Sequence, residues 1–249
     1  MSGHSKWHTI KHKKGAADAK RGKIFTRLIK ELTVAARAGG GDPDTNPRLR
    51  TIITEAKANN MPADNIKRAI RRGTGEEPGV SYEEAQYEGY GPGGAAVIIE
   101  VLTDNRNRTV GELRHLLTKH AGNLAETNAV AWMFSKRGYI VVQKGKANEE
   151  TLMSAVLDAG GDDLRDDGDN WEVLSAPEAF HQVLEAVKKL GIEPDAAEVA
   201  MLPQNYLKLE GKQAQQMLRL MEALDEHDDV RHVWSNVDIE EKEIEASLA

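Results

Sequence analysis

The spacing of apolar residues changes once along this chain, near residue 75, and that change limits the folds open to it. Before it, apolar positions recur only at helical intervals. Ile24, Phe25, Leu28, Ile29, Leu32 and Ala36 form one stripe, ended by Gly39-Gly40-Gly41. Leu49, Ile52, Ile53 and Ala56 form a second, entered through Asn46-Pro47 with proline near the first helical position. A third begins at Met61-Pro62, is expected to bury Ile66 and Ile70, and to stop at Gly73. Stripes this narrow predict a small helical bundle over residues 1–75. Residues 2–20 have almost no apolar periodicity and predict an extended or loosely helical arm.

Residues 73–81, with glycines, paired glutamates and a proline, read as a linker. Beyond it strands alternate with helices. Ala95 to Thr103 is β-branched and apolar, a buried strand. A helix follows at 107–121, with Val110, Leu113, Leu116 and Leu117 inward. Then come a strand at 138–144, a helix at 149–159, a strand near 162–166, an Asp167-Gly168 turn and a strand at 170–175. A helix at 177–190 and a strand at 197–203 complete a βαββαβ order, the split βαβ plait. A strand near 205–209, a helix at 211–225 and a strand at 230–237 lack partners of their own. The sequence therefore predicts an α+β protein: a helical bundle, then a discontinuous α/β domain (82–134 plus 206–239) into which a ferredoxin-like plait (135–205) is inserted. The acidic tail, 240–249, has little to bury and is expected to fray.

Charge divides along the same line. The 249 residues carry a formal net charge of −7. Residues 1–75 hold 17 Lys and Arg against 6 Asp and Glu, a balance of +11, and residues 76–249 hold 16 against 34, a balance of −18. A clustered positive field draws in phosphates and releases their counterions, so the basic module predicts a nucleic-acid partner. The alternative is that the opposite charges attract each other across the domain boundary. The longest apolar stretch, Ala95 to Ile99, is far short of the roughly 20 residues of a membrane span. No apolar segment resembling a secretory signal opens the chain, and there are no cysteines; both fit a cytoplasmic protein.

The candidate phosphate contacts follow from this distribution. Lys6, Lys11, Lys13, Lys14, Lys20, Arg21 and Lys23 are opposed only by Asp18, and a helix over 10–21 would set Lys13 with Lys20, and Lys14 with Arg21, a heptad apart. Lys67 with Arg71, and Arg68 with Arg72, repeat at i,i+4, although cations in a last turn also suit the helix dipole. Arg48 and Arg50 follow the triple glycine. Trp7 and Phe25 are the only aromatics of the module, and Phe25 belongs to the core stripe, so phosphate and shape contacts are favoured over base stacking. His4, His8 and His12 would share one helix face; without acidic neighbours they read as contacts to phosphate or RNA bases rather than as a metal site, and Trp7 and His12 join the candidate nucleic-acid contacts.

Other motifs carry less. The run 162–169 fails as a calcium loop, because Leu174 stands where the closing glutamate belongs. Gly89, Gly91, Gly93 and Gly94 precede a strand rather than a helix, as a tight turn would. Arg106 and Arg108 lie between a strand end and a helix that Asn105 or Asn107 could cap. The plait order is shared with RNA-recognition motifs, but NWEVLS lacks their aromatic pattern, and residues 135–205 carry 7 basic against 14 acidic residues. There is no thiol, nucleophile elbow, HExxH or Walker loop, and His115 and His120 have no evident acid–base partner, so neither an enzyme nor a cofactor is expected.

Several of these segments are similar to one family. GHSKW at 3–7, KHKK at 11–14, DAKRGKIFTRLIKEL at 18–32, NPRLR at 46–50, MPADNIKRAIRRGTG at 61–75, YEGYGPGG at 87–94, TDNRNRT at 103–109 and SNVDI at 235–239 resemble the YebC family over nearly the whole chain. The resemblance implies three domains, one helical and two α/β, and no catalytic residue. Its bacterial members are described as probable transcriptional regulators or as ribosome-associated factors acting at difficult proline-rich stretches, and its mitochondrial relatives as translational activators. It implies nucleic-acid contacts within 3–23 and 61–75. Departures at His8-Thr9, Ala63 and Lys67 read as surface variation. The sequence favours RNA and the ribosome, with ribosomal RNA or tRNA as ligand, over promoter DNA. No helix-turn-helix is legible, and no dimerisation helix supplies paired half-sites, so a monomer is expected.

Overall fold

The computed structural model describes residues 17–247, with side chains from residue 22 onward. Three helices open it: α1 (Ala17–Gly39), α2 (Pro47–Ala58) and α3 (Ala63–Thr74). Leu28, Leu32, Leu49, Ile52, Ala56 and Ile66 form their shared core, with Ile70 at its edge. Helix α1 takes in residues 17–20, which periodicity assigns to the arm; Ala17-Asp18-Ala19-Lys20 needs no apolar face to extend a helix already nucleated by its neighbours. The rest of the arm lies outside the described residues. Helix α3 does not stop at Gly73. It ends on Gly75, whose φ of +85° permits the left-handed cap, while Gly73 is buried in the helix.

Two antiparallel sheets follow. The first has the order β3-β1-β2-β9, from β1 (Glu83–Tyr90), β2 (Ala96–Thr103), β3 (Asn123–Leu124) and β9 (Val230–Ser235). The second has the order β5-β6-β4-β7, from β4 (Phe134–Gln143), β5 (Gly161–Asp167), β6 (Asn170–Ser175) and β7 (Ala196–Pro203). Helices α5 (Glu149–Asp158) and α6 (Phe180–Lys189) complete its βαββαβ connection, so a ferredoxin-like plait lies in sequence between β3 and β9 of the first sheet. Strand β4 begins four residues before its predicted start, since Phe134 to Arg137 pair with Ala200 to Pro203. Helix α6 begins three residues late, after a turn at Pro177.

The layers run helices, sheet, sheet, helices. Val97, Ile99 and Val101 face Leu113 and Leu117 of α4 (Arg106–Lys119) and Met217, Leu220 and Met221 of α7 (Gly211–Asp225). On the opposite face Ala96, Ile98 and Trp234 meet Tyr139, Val141, Leu174 and Ala200 of the plait. Ile140, Val142 and Val173 point the other way, onto α5 and α6. After β9 the chain leaves the sheet: β10 (Val237–Asp238) pairs in parallel with β8 (Leu207–Lys208). The tail does not fray as expected. Residues Glu241–Ser247 form α8, which buries Ile244 completely against α7; one apolar residue on the correct face suffices to dock it. No helix of the described residues is long and apolar enough to cross a membrane.

Candidate nucleic-acid interface

The turn from α1 to α2 shows how the basic module is built. Asn46 is buried, and its side chain donates to the carbonyls of Ala35 at 2.8 Å and Gly40 at 2.9 Å while accepting the Leu49 N–H at 3.0 Å. That satisfies two ends of helix at once. It also explains the glycines: a Cβ on Gly39 would stand 2.7 Å from the Asn46 amide nitrogen, and Gly40 has φ +86°. With α2 so fixed, Arg50 points to solvent, whereas Arg48 pairs with Glu84 of β1.

Helix α3 turns Ile66, Ala69 and Gly73 inward, and that leaves Lys67, Arg68, Arg71 and Arg72 outward as one exposed ridge. Arg71 is paired with Glu77 at 2.8 Å, and the Arg72 stem lies along Gly79. Among the described residues Lys67 and Arg68 have no ion pair, so the ridge keeps uncompensated positive charge. The connection from α2 to α3 is four residues with Asn60 at φ +58°, a helix-turn-helix length the sequence did not disclose. The second helix of that motif reads bases through its N-terminal end, and here that end presents Asp64. Of its cations, Arg71 and Arg72 sit in the last turn and Lys67 and Arg68 at mid-helix.

Of the arm, Lys6, Trp7, Lys11, His12, Lys13 and Lys14 lie outside the described residues, and so do the side chains of Lys20 and Arg21, whose backbone is helical. Lys23 is the first visible member, and its Nζ donates to the Glu226 carbonyl at 2.9 Å. Lys23 and Arg48 thus belong to a joint between the bundle and the first sheet. At its centre the buried Lys30 donates to Asp229 Oδ1 at 2.7 Å and the Asp228 carbonyl at 2.9 Å. Asp229 also accepts from Arg108 at 2.7 Å, Thr109 at 2.7 Å and Thr103 at 3.1 Å. Burial works against its ionisation, but the bonds from Lys30, Arg108 and Thr109 outweigh it and hold the carboxyl well below the usual range. Glu31 and Glu84 bracket Arg231 at the same joint.

Comparison with known proteins adds an independent line. Residues 5–76 match the TACO1/YebC N-terminal domain and residues 82–237 the TACO1/YebC second and third domain. The chain belongs to the TACO1/YebC family. A protein of Koribacter versatilis named as a probable transcriptional regulatory protein is 64% identical over 245 residues, 98% of each chain. One of Geobacter sulfurreducens, with the same designation, is 58% identical over 245 residues, 98% of this chain and 99% of its own. A conserved hypothetical protein of Aquifex aeolicus has a crystal structure with TM-score 0.79 and 42% identity, over 90% of this chain and 93% of that one.

In this TACO1/YebC chain the remaining motifs are structural. Asn105 caps α4 by accepting the Arg108 N–H at 3.1 Å, and Arg106 pairs with Glu83 at 3.0 Å. Gly93 and Gly94 take positive φ in the hairpin between β1 and β2, as a tight turn requires. The aspartate run is the β5–β6 hairpin, where Asp162, Asp163 and Asp166 pair with Arg137, Arg165 and Lys144. The plait face that RNA-recognition motifs use lies against the first sheet, so Tyr139, Val141 and Leu174 are buried and unavailable to bases. Glu112, His227 and Asp229 bring ligand atoms within 4.8 Å of one another. Lys30 and Arg108 already hold Asp229, however, and His227 accepts the Asp229 N–H at Nδ1 and meets Glu112 at 2.9 Å through Nε2. Both ring nitrogens are committed. That histidine–carboxylate pair, 115 residues apart in sequence, had no local signal by which to be found.

Proposed function

We propose that this chain is a nucleic-acid-binding regulator of gene expression that works on RNA at the ribosome. In this reading it is a cytoplasmic monomer and a binder rather than an enzyme, and it assists elongation at difficult, proline-rich sequences. The observation that carries the proposal is the α3 ridge, where Lys67 and Arg68 are exposed beside Arg71 and Arg72 and have no ion pair among the described residues. It continues the charge of residues 2–23, seven cations against Asp18. The ridge offers cations rather than aromatic side chains, which favours phosphate and shape recognition, the way proteins grip folded RNA. The proline-rich context rests on the resemblance of the sequence motifs alone. A second reading, a DNA-binding transcriptional regulator at promoters, is favoured by the designation that the bacterial relatives carry.

The test is co-sedimentation of the full chain with ribosomes from a low-salt extract. One variant carries Lys13→Glu, Lys14→Glu, Lys20→Glu and Arg21→Glu, and another Lys67→Glu and Arg68→Glu. The wild type is expected with ribosomal particles and both variants at the top of the gradient. Wild type remaining at the top, with translation running or paused, would remove the ribosome and leave promoter DNA as the reading to pursue.

A further inference from the structure

Trp132 is 69% exposed, more than any other large apolar side chain among the described residues. Single exposed apolar residues are ordinary. This one stands on a loop that the fold goes to some length to hold still. Glu88 reaches in from β1, and its buried carboxylate accepts the N–H groups of Asn128 at 2.8 Å, Val130 at 2.7 Å and Ala131 at 2.8 Å. Burial works to raise that carboxyl, but the three bonds outweigh it and keep it below its ordinary value. On either side of Trp132, Val130 and Phe134 enter the core between the sheets.

The indole N–H donates to the Ala129 carbonyl at 3.1 Å, within its own loop. The exposed ring therefore asks for no acceptor and offers only its π face. Gln204 ties the loop to the segment that leaves the plait, through its N–H to the Met133 carbonyl at 2.9 Å and its amide to the Trp132 carbonyl at 3.3 Å. Tyr206, 51% exposed, follows two residues later. Two exposed aromatics thus stand on the two crossovers between the sheets. Strand β2 runs from Ala96 at this end to Thr103 at the joint with the basic bundle, so the two ends lie roughly 24 Å apart.

We propose that Trp132, with Tyr206 on the neighbouring crossover, anchors a docking surface for a basic segment of a partner protein, which lays an arginine or lysine on the indole. The chemistry of the ring and the acidic balance of the α/β domains that carry it select this occupant. A π face with its N–H satisfied attracts a cation. Residues 76–249, with their balance of −18, attract a cationic chain and repel a polyanion. Glu172 and Asp238 act on the Tyr206 hydroxyl in the same sense as burial, with only Arg165 opposing. Fixing the loop in advance removes an ordering cost from binding, as at the aromatic anchors of protein interfaces. This surface is independent of the phosphate-binding ridge.

The experiment is fluorescence anisotropy of the full chain with a labelled twelve-residue peptide of alternating arginine and glycine, and separately with a twelve-nucleotide oligouridylate. Trp132→Ala is expected to weaken peptide binding about fivefold and to leave oligouridylate binding unchanged, with Trp132→Phe in between. Because the side chain is exposed, far-UV circular dichroism of the variants should match the wild type. Equal peptide affinity in wild type and Trp132→Ala, or no peptide binding by the wild type, would overturn the proposal. Loss of oligouridylate instead would make the indole a base-stacking platform and overturn it too. Failure of the RNA reading is distinct, since oligouridylate binding would then ignore Lys67→Glu and Arg68→Glu.

Discussion

Asp229 ionises where burial should prevent it, because two cations and two hydroxyls meet it from three elements, α1, β2 and α4. Breaking such a set leaves an uncompensated buried charge, so Lys30 and Asp229 fix how the bundle sits on the sheet whatever their net contribution to stability. Glu198 of β7 shows the opposite balance. It stands opposite Tyr139 on the face between the sheets, and burial raises its carboxyl to about 7, with Arg27 only partly opposing. The sign follows. The folded state keeps a proton on Glu198 between the ordinary value of 4.5 and about 7, which the unfolded chain releases, so this group's contribution to stability declines as pH rises through that window. Replacing it by glutamine removes the titration. Glu198→Gln is expected to match the wild type in urea unfolding at about pH 4 and to exceed it by on the order of 1–2 kcal/mol at pH 8 and above. An equal difference at both pH values would show that packing, not charge, is the cause.

Helices α1 and α3 approach closely enough that Gly73 has no room for a side chain. A Cβ there would lie 2.4 Å from the Thr33 carbonyl oxygen and 2.7 Å from the Ala36 Cβ. Gly111 in α4 has nothing within 4 Å of the same position. Alanine should therefore act in opposite directions at the two sites. Gly111→Ala is expected to stabilise by about 0.5–1 kcal/mol through helix propensity, and Gly73→Ala to destabilise by about 1–3 kcal/mol as the helices are forced apart. Thermal or urea unfolding of both variants checks this, and a stabilising Gly73→Ala would refute the close approach. The same pair marks what the sequence could disclose. Stripes such as Leu28-Leu32 and Leu49-Ile52-Ala56, and the strand–helix alternation of the plait, are local patterns and were legible. Whether a glycine ends a helix or packs inside it depends on a neighbour some forty residues away, so Gly73 read as a stop. Ile244 lacked a stripe for the same reason: its partner surface is α7. Of the candidate site, the α3 cations were legible from i,i+4 spacing, but that Lys23 reaches the end of α7 and Arg48 reaches β1 was not, since Glu226 and Glu84 are distant in sequence.

Across the whole molecule, the charge asymmetry is used in two ways. Part of it closes on itself at the joint, where Lys30 meets Asp229 and Arg48 meets Glu84. The remainder, on the outward face of α3 and in the residues preceding Gly22, stays positive while the α/β layers stay acidic, and in the proposed function that face is the one that meets a polyanion. These two uses predict different salt responses. Cations that hold phosphates release counterions, so the logarithm of the association constant for single-stranded RNA should fall linearly with the logarithm of salt, by roughly 0.7 per phosphate neutralised. Removing Lys67 and Arg68 together, as glutamine, should flatten that slope by about 1.4 without altering the unfolding midpoint. Removing Lys30 should do the reverse, lowering the midpoint and leaving the slope, because its charge is already matched inside the protein. If the Lys67 and Arg68 variant kept the wild-type slope, those two side chains would be ordinary solvated residues of the helix surface, and the phosphate contacts would have to lie among residues 2–23 and the remaining exposed arginines Arg50, Arg71 and Arg72.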